Sequence, residues 1–134
     1  MFAAMLFAIS IVALSQFAAY YWRAMLAGAA AQRVSERILL AAGVQNGELT
    51  GADFPALLGL HNLTPELRSG SNGLGLVRLY YAVVNRLGSL ASSSMPAVAA
   101  WSRRELAVCA RYAAVQIDQR LQANLELAAS LRSC

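Results

Sequence analysis

The sequence contains no lysine; its eleven Lys-plus-Arg positions are all arginine. That excludes a Schiff-base lysine, a phosphate-loop lysine and a lysine general base. An arginine-only bias of this kind reads as a mark of genome composition. Charged residues make up only 13% of the chain, about half the usual share of roughly 25%. The seven carboxylates form no paired arrangement on which acid–base catalysis would rest. There is one histidine, His61, and two cysteines, Cys109 and Cys134. The cysteine spacing matches neither a CxxC site nor a disulfide framework. In a reducing compartment both are expected as free thiols, and no metal-ligand spacing joins them to His61. The sequence therefore predicts no catalytic, cofactor-binding or metal-binding residue. Proline occurs only at positions 55, 65 and 96, while leucine and alanine dominate. Helices are favoured over strands, and the predicted fold class is all-α.

What is abundant is apolar: 58% of the chain is hydrophobic. Much of this lies in the opening run, MFAAMLFAISIVALSQFAAYYW, which has no charged side chain. A helix of this length spans about 30 Å, the thickness of a bilayer's hydrocarbon core. Ser10, Ser15 and Gln16 do not form the water-facing stripe of a surface helix. Tyr20, Tyr21 and Trp22 followed by Arg23 have the composition of an interfacial belt. The run can also be read as a secretory signal, cut beside Ala27-Gly28-Ala29. A signal usually has a basic start and an apolar stretch of about 7–15 residues, so length and flanks favour an anchor. Arg23, Arg33 and Arg37 follow the run and none precedes it. The positive-inside rule thus puts the N-terminus outside and the rest in the cytoplasm of a cell-membrane protein.

The division expected is a transmembrane anchor over 1–23 and a small cytoplasmic helical domain over 24–134. Helices are predicted near 24–42, 54–60, 65–69, 73–91 and 103–131, the first continuing from the anchor. Gly43 is a natural helix stop, and GVQNGELTGA after it reads as a connection. Asp53 with Pro55, and Thr64 with Pro65, have cap-and-proline starts. The glycines at 70, 73 and 75 precede a helix, but no strand precedes them and no phosphate-loop spacing is present. They read as a turn. The 73–91 helix is expected to bury Val77, Tyr80, Val84 and Leu87. The alternative is a helix along the membrane surface, with tyrosines and arginines at headgroup level.

Ser102 and Glu105 have the spacing of a capping box, so the last helix is expected to start there, Arg103 and Arg104 in its first turn. Its apolar stripe is Leu106, Cys109, Ala113, Ile117, Leu121, Leu125, Ala128 and Leu131. Ala110, Ala113 and Ala114 permit close approach. The helix is expected to run antiparallel to the end of the first, or to pair with another chain.

Arg78, Arg86, Arg103, Arg104 and Arg111 are the candidate lipid or partner contacts, although solvated charge is the usual fate of such residues. The arginines spread from 23 to 132, so no nucleic-acid footprint is drawn. The expected function is a non-enzymatic accessory, scaffold or tether, with the bilayer and a protein partner or second copy as partners and the C-terminal helix as contact. The alternative is a membrane-anchored enzyme or small-ligand binder, with a pocket near His61 and the Gly70–Gly75 turn.

Overall fold

A computed structural model of the chain describes residues 2–44, 48–64 and 73–134. The described residues form α1 (Phe2–Ala30), α2 (Glu36–Ala41), a 3-10 turn (Gly51–Asp53), α3 (Phe54–Leu63), α4 (Gly73–Ala91) and α5 (Pro96–Arg132). No strand occurs among them, and the fold is all-α. The helical turn expected at 65–69, and Gly70 of the glycine turn, lie outside the described residues.

α5 is the centre of the fold. The 3-10 turn and the other four helices all pack on it, and among the described elements α1, α2 and α4 bring their backbones close to no other. The sequence makes this possible by leaving α5 almost bare on that side. Cys109, Ala110, Ala113 and Ala114 are fully buried, and their small side chains let neighbouring backbones come close. Around them and Ile117 gather Leu26 of α1, Ile38 of α2, Phe54 and Leu57 of α3 and Val77 of α4. Burial of large side chains of this kind contributes about 1.5–3 kcal/mol each.

Two pairs of contacts fix directions. Arg23 bonds Glu105 and Gln119 bonds Gln32, so the end of α1 runs in the same sense as α5. The expected antiparallel arrangement is thereby corrected. A Cβ on Gly88 would meet Ser102 and one on Gly73 would meet the Tyr112 hydroxyl, so α4 runs antiparallel to α5. The short 92–95 connection requires that arrangement. At Gly51 a Cβ would fall 2.5 Å from the Leu106 Cβ; here the absence of a side chain lets the 3-10 turn lie against α5.

The helix boundaries expected at 54–60 and 73–91 match α3 to within three residues and α4 at both ends. Pro55 lies in the first turn of α3 and Asp53 stands at its N-cap position, as expected, but the Asp53 side chain closes the capping box of the preceding 3-10 turn instead of bonding into α3. The Asp53 carboxylate accepts from the Thr50 backbone N–H at 2.8 Å and from its hydroxyl at 2.9 Å. Gly43 stops α2 with φ +79°. The N–H groups of Gly43 and Val44 close onto the carbonyls of Leu40 and Leu39, the paired bonds of a Schellman stop.

Three further expectations are overturned. The helix predicted over 24–42 breaks, with α1 ending at Ala30 and α2 starting after Ser35 in extended backbone. The break turns Ile38 and Val44 back into the core; a straight helix would leave them in solvent. The last helix starts at Pro96 rather than 103. Ser102 is buried inside it and donates to the Ala99 carbonyl at 2.9 Å, so no capping box forms, and Arg103 and Arg104 are not in the first turn. Leu87 is 48% exposed. The buried line of α4 runs through Val77 and Val84 to Gly88 against Ser102, which rotates Leu87 outward.

The α5 stripe is buried from Cys109 to Ile117, while Leu106 is half-buried and Leu121, Leu125 and Leu131 are exposed. This yields a contrast in stability. Ile117→Ala is expected to lower unfolding stability by about 2–5 kcal/mol, as core truncations do. Leu125→Ala is expected to change it by no more than about 0.5 kcal/mol, as surface changes do. Denaturant unfolding in detergent, followed by circular dichroism, measures both.

Candidate functional site

The chemically distinctive place in the structure is the junction where α1 enters the domain. α5 contributes Glu105, which occupies core register on its helix and is 7% exposed. A carboxylate there needs partners, and two other helices supply them. The Arg23 guanidinium of α1 donates to one carboxylate oxygen at 2.6 Å. The Tyr80 hydroxyl of α4 donates to the other at 3.0 Å. Arg23 is 55% exposed at its side chain, so the pair is partly screened by solvent. Its value lies in joining α1, α4 and α5 at one point.

Apolar contacts surround the polar ones. Trp22 meets Tyr80 edge-on, with ring centres 6.3 Å apart and planes at 69°, a favoured aromatic geometry. Leu26, one turn beyond Trp22, is 1% exposed and belongs to the core. Of the predicted interfacial residues, Trp22 and Arg23 therefore hold the domain to α1, whereas Tyr20 and Tyr21 are exposed. The boundary expected at residue 23 falls inside a continuous helix whose last turns are part of the domain.

α1 is long and apolar enough, over residues 2–28, to cross a membrane, and its most apolar window is 0% buried. Phe7, Ile9, Val12, Leu14 and Phe17 are all more than half exposed. A core helix of a water-soluble fold would be covered.

Grooves among the described residues flank α5. One, of about 740 Å³, is lined by Glu48–Ala52, Tyr81, Asn85, Arg103 and Arg104. Tyr81 closes its floor by stacking on Phe54 at 4.2 Å and donating to the Gly51 carbonyl at 2.9 Å. A second, of about 600 Å³, holds Arg111 with Arg33, Glu36 and Glu48. A third, of about 630 Å³, lies between α1 and α5 beside Arg23 and Glu105. The five candidate arginines are distributed over α4 and α5. Arg103 and Arg104 share a groove, Arg111 lines another, and Arg78 and Arg86 are exposed on α4.

His61 is half-buried in the last turn of α3 and lines none of these grooves. Gly73 and Gly75 form the start of α4, while residues 70–72 lie outside the described residues. Cys109 is wholly enclosed. Burial pushes its thiol from 9.0 up to about 12, the Glu105 charge adding to the effect, so it stays protonated and unreactive. Among the described residues no group of three or more His, Cys, Asp or Glu side chains is placed to hold a metal ion. Comparison with protein families, curated proteins and solved structures gave no match.

Glu105 is the residue that sequence reasoning misassigned. Its signal was its register, three residues after Ser102 and four before Cys109 on the side that becomes buried. A carboxylate at such a position calls for a distant cation, and Arg23 was the first available after the uncharged run.

Burial also raises Tyr80 from 10.0 to about 12, the hydrogen bond to Glu105 adding to it. Tyr80 and Cys109 both hold their protons more tightly when folded. Their contribution is complete below the unfolded values of 9.0 and 10.0 and is lost as pH rises through about 12. Thermal midpoints are therefore expected to fall in that alkaline window, and to fall less steeply in a Tyr80→Phe/Cys109→Ala variant. At neutral pH, Glu105→Gln is expected to cost about 1–2 kcal/mol, the lower range for a charge-assisted bond with a half-exposed partner. Denaturant melts compare it with the parent.

Proposed function

We propose that the chain is a single-pass membrane protein whose helical domain serves as a non-enzymatic accessory, scaffold or tether through helix–helix contacts. The observation that carries the membrane part is α1 itself. It exposes apolar side chains over a bilayer's thickness and then enters the domain core at Trp22, Arg23 and Leu26. Cleavage beside Ala27 would remove Leu26 from the core and Arg23 from Glu105. A signal sequence is discarded in the mature protein, so using its end as core is a poor design for one. The anchor reading is the better supported.

Orientation follows the arginines: the N-terminus faces outward and the domain lies in the cytoplasm of a cell-membrane protein. The scaffold part rests on apolar surface left outside α1. Leu121, Leu125 and Leu131 on the free end of α5, and Leu76 and Leu79 on α4, are exposed. A partner helix or a second copy would cover them. A ligand-binding reading has one observation in its favour, the groove at Arg103 and Arg104.

Two measurements test this. The mature protein is expected to retain the apolar run of residues 2–22; a chain beginning near Ala30 would refute the anchor. In intact cells a membrane-impermeant thiol reagent is expected to leave the exposed Cys134 unlabelled. Labelling there would reverse the orientation. For the scaffold, truncation after residue 120 is expected to abolish crosslinks to partners in native membranes while His61→Ala leaves them intact. The opposite pattern would favour the ligand-binding reading.

A further inference from the structure

We infer that the hairpin formed by the end of α4 and the start of α5, residues 87–102, inserts into the same bilayer leaflet from which α1 emerges, with Arg86, Arg103 and Arg104 at its phosphate level. This rests on the membrane-anchor reading and adds a second point of lipid contact to it.

Direction is the first support. The Arg23–Glu105 and Gln32–Gln119 contacts order α1 and α5 in the same sense. The part of α5 before Glu105 therefore points towards the side on which α1 continues as an apolar span. The antiparallel α4 carries residues 81–91 the same way. Met95, at the tip, is ten residues before Glu105, or about 15 Å along the helix axis. That is about half the thickness of the hydrocarbon core. A tilt between the two helices would reduce the depth but not change the side.

Composition is the second. The stretch LGSLASSSMPAVAAWS, residues 87–102, contains no charged side chain. Arg86 bounds it on one side, Arg103 and Arg104 on the other. Leu87, Leu90, Met95 and Trp101 are exposed along it, at 48%, 75%, 59% and 36%. In water these would be an apolar tip held away from the core; in the leaflet they meet acyl chains, with the arginines on phosphates.

The third is hydrogen bonding. Backbone donors in lipid must be satisfied internally. Ser94 and Met95 donate to the Ala91 carbonyl, and Val98 and Ala99 donate to that of Met95. Pro96 has no N–H to satisfy. Ser89, Ser92 and Ser102 turn their hydroxyls onto the carbonyls of Arg86, Ser89 and Ala99. The turn and three of its serines thus meet much of their hydrogen bonding within the hairpin.

The test uses the full chain carrying Cys134→Ser, with the enclosed Cys109 left in place. Ile9→Cys, Ser93→Cys or Ser130→Cys is added singly, each at an exposed site, and labelled with an environment-sensitive fluorophore. The proteins are reconstituted in vesicles of equal parts phosphatidylcholine and phosphatidylglycerol. Nitroxides on the acyl chains report lipid contact and aqueous iodide reports water. Labels at 9 and 93 are expected to be quenched by the nitroxides and several-fold less by iodide than the label at 130. If 9 is protected but 93 is quenched by iodide like 130, the insertion is refuted and the anchor stands. If 93 is shielded from iodide yet untouched by the nitroxides, another copy of the protein covers the tip, and the insertion again fails. Iodide quenching at 9 would overturn the anchor and the insertion together.

Discussion

Cys109, Ala110, Ala113 and Ala114 present little side-chain bulk and are wholly buried, and the other elements depend on that narrowness. A helix surrounded by neighbours can hold them close only where its own side chains are small. Large residues come from outside instead, as Leu26, Ile38, Phe54, Leu57 and Val77. α5 is thus an axis, and the other helices are held through it more than through one another. Its two ends emerge from the packed region with different characters. The N-terminal end is tied to α4 in an uncharged hairpin, whereas the C-terminal end is a single helix with exposed leucines.

Glu105 gives this axis its orientation relative to α1. A partly enclosed carboxylate is costly without hydrogen bonds, and Arg23 and Tyr80 supply them here. Apolar packing of Leu26 alone would tolerate some rotation of α1; the charged bond and the edge-on Trp22–Tyr80 contact restrict it. The end of the membrane-length helix is consequently rigid with the domain. The sense in which α5 runs follows from that contact taken with Gln32–Gln119, and with it the side on which the hairpin lies.

Much of the fold was legible in local signals. Gly43 stopping a helix, Pro55 in a first turn and the limits of α4 are properties of short segments, and each appeared where the residues put it. The misreadings share one cause. Good helix formers from Arg23 to Ala42 argued for one helix, but bending it buried Ile38 and Val44. Ser102 and Glu105 have the spacing of a cap, but that same spacing lies along the buried side of a helix already under way from Pro96. Leu87 fitted an apolar stripe as well as its neighbours did, and the close approach at Gly88 excluded it. Of the candidate arginines, none was distinguishable by sequence; their separation into different grooves depends on which face of α5 each neighbour covers.

By itself the sequence determined the all-α class, the length and apolar character of α1, and the scarcity of histidine, cysteine and lysine. Those follow from composition and periodicity, which are local or additive. Only the tertiary structure decided that α5 runs with α1 rather than against it, that Glu105 is a partner for Arg23, and that Leu26 of α1 belongs to the domain core. These depend on contacts between residues about eighty positions apart. Such pairings are settled by the shape of the assembled core, and no local pattern encodes them.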